Sequence, residues 1–324
     1  MISKVFRKIL RIFLTPFIRA NLFDYSKLRT LISLDKNYLS NEETSNYIYD
    51  SLKKDGPLMI SRFWYTELNT LFRYENFIKM NKIEKIYQWS KTLAYPFSNN
   101  CRINNIYKLS GFFPVTEESL YQFKEEMLKA MQEIDLLGSW VEGESKYVNQ
   151  LSNVKICKLI DIEPYFSSRP WTLALKRKKV LVIHPFAEDI EKQYSKKREH
   201  LFKDLHVLPE FDLKTLKTPI TYPGGNTSSK NWFDILDDLT SKALKLDFEI
   251  AIIGCGAYGM PLAARLKKAG KKCIHLGGAV QILFGIKGKR WDEMKNFKEM
   301  YNKFWIYPSS NNKVFHNVEN GCYW

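Results

Sequence analysis

The chain has 324 residues, 45% of them apolar and 15% aromatic. That is enough for a sizeable core, so global disorder is excluded and two domains or one large α/β domain remain. Lysine and arginine outnumber aspartate and glutamate by 50 to 35, a net charge of +15, which directs attention to anionic partners. The five cysteines (Cys101, Cys157, Cys255, Cys273, Cys322) form no C-x-x-C pair and no zinc spacing with histidine; a disulfide scaffold is excluded and reduced cytosolic thiols are expected.

Residues 1–20 carry Lys4, Arg7, Lys8, Arg11 and Arg19 and no acid. Ile2, Val5, Phe6, Ile9, Leu10, Phe13 and Phe17 recur at three- and four-residue steps, opposite the cations. This predicts a basic amphipathic helix over 1–22, suited to an anionic membrane surface or to packing on its own domain. Its longest uncharged run, 12–18, is too short to span a bilayer.

Further along, Pro57–Phe63 reads as a strand and the pattern from Thr66 through Phe77 as a helix. A mainly helical insertion is expected over about 80–165, with loops at 95–100 and 111–114. Within it, Thr116 opens an amphipathic helix through Phe123, Met127 and Met131. Lys179–His184 is a second strand, stopped by Pro185, and a charged helix over 190–204 follows. Residues 219–229 read as loop and Trp232–Leu244 as helix. Phe248–Gly254 is the clearest buried parallel strand. A helix over Met260–Ala269 and a strand over Cys273–Leu276 complete an α/β alternation. The fold predicted is a Rossmann-like, mostly parallel sheet flanked by helices, in one domain over 23–324.

Gly254-Cys-Gly-Ala-Tyr-Gly259 is a complete G-x-G-x-x-G between a strand and a helix. Gly254, Gly256, Tyr258 and Gly259 would bring free N–H groups to a phosphate, although the same glycines also serve close strand–helix packing. The next strand ends His275-Leu-Gly-Gly, without the acid that would hold a nicotinamide ribose. Gly277 and Gly278 form a second strand-to-helix turn, with Gln281, Lys287, Lys289 and Arg290 beyond it as candidate diphosphate ligands or a solvated basic loop. Arg62 and Glu67 flank the first strand-to-helix turn. Glu67 is a candidate base or metal ligand, or else an ordinary first-turn glutamate. His184, at the end of its strand, is a candidate for proton transfer or a hydrogen-bonded structural histidine.

The strand ending Arg62-Phe63 and followed by Glu67 resembles the R-F-G-D-G-E region of GT-D-fold bacterial glycosyltransferases. Several further motifs together resemble proteins of capsule and surface-polysaccharide clusters. They are His184-Pro-Phe186, Gln193-Tyr194, Leu208-Pro-Glu-Phe211, Ile253–Gly259, Gly277-Gly278, Phe284–Trp291 and the terminal Cys-Tyr-Trp. The resemblance covers roughly residues 55 to 324. It implies a GT-D-like α/β fold, a nucleotide-sugar donor, a glycan or lipid-linked acceptor, and an Asp-x-Glu pair near the donor. Glu67 matches the glutamate, but Tyr65 stands where the aspartate would be. A lone glutamate holds Mn²⁺ or Mg²⁺ poorly. The expected protein is therefore a glycosyltransferase of surface-polysaccharide synthesis, cytoplasmic and peripheral on the inner face of the plasma membrane. Arg62, Glu67 and His184 are its catalytic candidates. A nucleotide-dependent oxidoreductase or epimerase and a non-catalytic nucleotide-sugar-binding assembly protein are the alternatives. Nucleic acid is not expected as a partner, since no reading module accompanies the charge.

Overall fold

A computed structural model describes residues 38–83, 85–86, 105–141, 143–223 and 228–309. The segment 1–22, the loop 95–100 and the terminal Cys322-Tyr323-Trp324 lie outside these residues.

Among the described residues eight strands form one sheet in the order β1-β4-β3-β2-β8-β7-β5-β6, and each pairing between them is parallel. They are β1 (Tyr38–Leu39), β2 (Leu58–Arg62), β3 (Leu136–Ser139), β4 (Lys155–Lys158), β5 (Lys179–His184), β6 (Asp212–Lys217), β7 (Ile250–Ile253) and β8 (Lys272–His275). Parallel strands need covered connections, so the central ones are apolar on both faces. Leu136, Ile60, Ile274, Ile252 and Val182 lie in register across five strands and enter one core. On the other face Leu137, Met59, Cys273, Ala251 and Leu181 enter the second core. Cys157, Cys255 and Cys273 are buried free thiols.

The helices named below are α1 (Asn41–Lys53), α2 (Tyr65–Lys79), α3 (Asn105–Ser110), α4 (Glu117–Met131), α5 (Ser145–Val148), α6 (Ala187–Leu201), α7 (Trp232–Leu244), α8 (Gly259–Lys268), α9 (Ala279–Leu283) and α10 (Lys289–Asp292). Helix α4 begins where Thr116 predicts: its hydroxyl accepts from the Ser119 N–H while Ser119 accepts from the Thr116 N–H. Helix α1 has a capping box of its own, Ser40 with Glu43, which the sequence reading passed over.

One expectation is corrected. The stretch 80–165 is not a helical insertion beside the sheet. It carries α3, α4 and α5, but it also supplies β3 and β4, which stand between β1 and β2. Leu-Leu-Gly-Ser and Lys-Ile-Cys-Lys are four residues each, too short and too interrupted to register as apolar runs. Strand β6 was also missed: Asp-Leu-Lys-Thr-Leu-Lys is a half-buried edge strand whose cations protect an open edge.

Candidate functional site

The carboxyl ends of β2, β3, β4 and β8 open into one cavity of about 800 Å³. Arg62 ends β2, Ser139 ends β3, Lys158 ends β4, and Gly278 and Ala279 follow β8; all five line it. Trp64, Tyr65 and Thr66 enter from the start of α2, Trp140 from the turn after β3, and Arg290 and Trp291 from α10. Glu163 closes the wall from the turn beyond β4. Open parallel sheets bind ligands at such crevices because helix starts and loop termini converge there.

Arg62 organises the cavity. The side chain is 5% exposed, and its Cζ lies 4.7 Å from the centre of the Trp64 ring and 4.8 Å from that of Trp140. Arg290 stands over the same Trp64 ring at 5.0 Å. A guanidinium is weakly hydrated and planar, so indole faces replace part of the water it loses on burial. The Trp140 indole is fixed by donating its Nε1–H to the Phe63 carbonyl at 2.7 Å. Below it, fully buried Glu144 accepts from the backbone N–H groups of Trp140 and Val141 at 3.0 and 2.6 Å. Burial pushes the Glu144 carboxyl up, while these donors and the Arg62 charge oppose that shift.

Glu163 is 8% exposed. Burial pushes its carboxyl up to about 7, against a hydrogen bond from Tyr165 and the positive field of Arg62. The Tyr165 hydroxyl donates to Oε2 at 2.8 Å. Among the described residues Glu163 is the only acid lining a cavity that also holds Arg62, Lys158 and Arg290, a net cationic lining.

Of the residues singled out in the sequence, Arg62, Gly278 and Arg290 meet in this cavity. Glu67 does not line it; it is 3% exposed on α2, while Tyr65 and Thr66 of the same turn face in. Gly277 sits behind the wall in the left-handed region (φ +64), against the Arg62 side chain. Gln281 is buried and donates to the carbonyls of Ile286 and Lys287, holding that loop. Lys287 lies 5.4 Å from the rings of Tyr301 and Tyr307, and Lys289 is exposed.

The glycine motif lies one strand away from the cavity. Gly254 and Gly259 are buried against His184 and His275. Tyr258 stacks on Trp232 at 5.1 Å and donates to Thr221, which in turn donates to the Gly111 carbonyl. Gly256 alone of the three glycines is exposed. Close packing thus accounts for Gly254 and Gly259.

Both central histidines are buried beyond the cavity wall. His184 accepts the Phe186 N–H at Nδ1 (3.1 Å), which leaves its proton on Nε2. His275 pairs with Ser61 at 3.0 Å. Burial lowers each imidazole to about 3, helped at His275 by Arg62. A folded value below the unfolded one means stability is complete above about 6.5 and is lost as pH falls toward 3. Glu163, shifted upward, works the other way between about 4.5 and 7, but one carboxyl opposes two imidazoles. Circular dichroism against pH should therefore show unfolding between about pH 6 and 4, with midpoint moved to lower pH in His184→Gln/His275→Gln; an unmoved midpoint would refute the assignment.

A metal centre built on Glu67 does not fit. Among the described residues no three His, Cys, Asp or Glu side chains gather as a ligand set, and Glu67 is buried and does not line the cavity. No described helix is long and apolar enough to cross a membrane.

Sequence reasoning missed Trp64, Trp140, Lys158 and Glu163. The tryptophans carried a signal, since a large aromatic directly beyond a strand is poorly placed for a core. Glu163 carried none, because Arg62 and Arg290, which share its cavity, lie a hundred or more positions away.

No protein-family model matches the chain, and no curated protein matches it. Solved structures similar to it include one of "domain of unknown function 1792", at 14% identity over 85% of this chain and 92% of that one, with a TM-score of 0.44. Another is described as "the highly conserved domain of unknown function 1792 has a distinct glycosyltransferase fold", at 14% identity, the same coverage and a TM-score of 0.43. A third, "a new glycosyltransferase (DUF1792) from Streptococcus sanguinis", is similar at 12% identity over 85% of this chain and 96% of that one, with a TM-score of 0.39.

Proposed function

We propose that the protein is a glycosyltransferase that binds a nucleotide-sugar donor in the cavity above β2, β3, β4 and β8 and transfers its sugar to a glycan or lipid-linked acceptor. The observation that carries this reading is the pair Arg62 and Arg290 around one indole, Trp64, in a cavity where the described residues supply a single carboxyl. Two guanidiniums match a diphosphate in charge and in hydrogen-bond geometry. Trp64 and Trp140 offer aromatic faces for a base or a sugar ring. Developing negative charge on the leaving diphosphate needs only fixed cations nearby, so a metal is not required by the chemistry.

The acceptor side is supported by the rim. Tyr65, Trp140, Ile160 and Met294 all line the cavity and are exposed, Tyr65 at 59%. An apolar mouth beside Lys158 and Arg290 suits an amphiphile with an anionic head. Together with the basic pattern of 1–20, it supports work at the cytoplasmic face of a membrane in surface-polysaccharide synthesis. The oxidoreductase alternative gains no support, since the glycine turn stands apart from the cavity and its two buried glycines are packed on the protein's own histidines.

Thermal unfolding with UDP-, GDP-, CMP- and dTDP-sugars and with NAD(P) tests the proposal. A sugar nucleotide at a hundred times its Kd should stabilise by about 2.7 kcal/mol, and Arg290→Ala should remove most of that shift. Stabilisation by NAD(P) alone would sink the reading.

A further inference from the structure

We propose that Glu163 is the base that accepts the proton of the attacking acceptor hydroxyl, with Tyr165 as its positioning residue. The inference rests on the glycosyltransferase reading and assigns a role that reading leaves open.

In such a transfer the acceptor oxygen bonds to the anomeric carbon, the bond from that carbon to the diphosphate oxygen breaks, and the electron pair leaves on the nucleoside diphosphate. The hydroxyl proton must go to a nearby base. Among the described residues, the other candidates are placed elsewhere. Glu144 is fully buried with Oε1 committed to two backbone N–H groups. Glu67, His184 and His275 do not line the cavity. Asp161 accepts from Asn41 outside it. Glu163 lines the wall, and Tyr165 donates to Oε2, so the carboxyl is held in one orientation with Oε1 left for a substrate proton.

The charged and titratable groups around Glu163 suit that task. The Arg62 charge acts on it from β2, while Lys158 at the end of β4, Arg290 of α10 and Tyr65 of α2 line the same cavity; Tyr165 lies on its own segment, with Tyr301 behind. Arg62 and the Tyr165 hydrogen bond keep the carboxylate accessible while burial raises its basicity, and its value of about 7 balances ionised fraction against proton affinity near neutral pH. A carboxylate at the ordinary value would be a far weaker base.

The test measures nucleoside diphosphate release from UDP-glucose, GDP-mannose and dTDP-rhamnose, with water or added glycan as acceptor, alongside donor binding by thermal shift. Glu163→Gln should keep donor binding within about twofold and slow release by 10²–10⁴-fold; Glu163→Asp should recover part of the rate. Wild-type activity should fall below about pH 7. Tyr165→Phe removes a bond that favours the ionised form, so its activity limb should move to higher pH, a shift that a merely structural tyrosine would not produce. Glu163→Gln turning over within threefold of wild type, or a Tyr165→Phe limb that stays in place, would overturn the proposal while leaving donor binding intact. Failure of the wild-type protein to bind any of the three donors would overturn the glycosyltransferase reading, and this role with it.

Discussion

Arg62→Ala is expected to weaken nucleotide-sugar binding by at least a hundredfold and to destabilise the fold by roughly 3–5 kcal/mol at pH 8, the range for removing one partner from a buried charge cluster. The reason is that Arg62 serves two sets of groups at once. Toward the cavity it faces the place proposed for the diphosphate. Toward the interior its charge acts on Glu144 and Glu163, both raised by burial. Without it, both carboxyls take up protons at higher pH, so holding them ionised costs more. The direction of the pH effect follows. At pH 5 Glu163 is largely protonated, and the difference between variant and wild type should shrink. His275 adds to the same trend, because Arg62 lowers its value and removal lets it charge more readily. Arg62→Lys should recover part of the stability and little of the affinity, since an ammonium cannot lie flat against Trp64 and Trp140. Urea unfolding at pH 5 and pH 8 reads the first effect and donor titration the second. A destabilisation equal at both pH values would show that Arg62 acts through packing alone.

Gly254→Ala should lower stability by about 3 kcal/mol, the upper end for overpacking, with the active cavity disturbed as well. An added Cβ at Gly254 would stand 2.8 Å from His184 Cδ2 and 3.0 Å from Val280 Cγ2, and closer still to the Gly277 carbonyl oxygen. Side chains yield to such a contact, but the Gly277 backbone has little room, because the following Gly278 and Ala279 form the cavity wall. Gly270→Ala is the control. Gly270 has a positive φ (+85), and an added Cβ there meets nothing within 4 Å, so only the backbone strain of about 1 kcal/mol remains. Melting temperatures of the two variants should differ by several degrees. Equal losses would show that the close approach between the β7 and β8 turns is not tight.

The elements legible in the sequence were those whose local chemistry is unambiguous. Lys179–His184 and Trp232–Leu244 fall where the pattern puts them, and Thr116 starts its helix through its own hydroxyl. What was hidden lay in the sheet edges and in β3 and β4, whose four residues each carry glycine, serine or lysine and owe their pairing to neighbours distant in sequence. The candidate site divides along the same line. Arg62 and Gly278 follow from the rule that strand ends face the crevice. The motif at Gly254–Gly259 was legible as a junction, but spacing alone does not say whether a close approach is to a phosphate or to an imidazole. The structure puts imidazoles at Gly254 and Gly259. Glu163 depends on Arg62, Trp140 and Arg290 gathering in three dimensions, which no window of sequence reports.

The strand order also sets when the site can exist during synthesis. Strand β2, which carries Arg62, is made early, whereas its neighbour β8 lies some two hundred residues later. Until that segment leaves the ribosome, β2 has one open side and β7 another, each a row of unpaired backbone groups flanked by apolar side chains. Closing the sheet is thus a late event of high sequence separation. A nascent chain stopped before residue 272 would hold half of a cavity and two sticky edges, a natural client for a ribosome-bound chaperone.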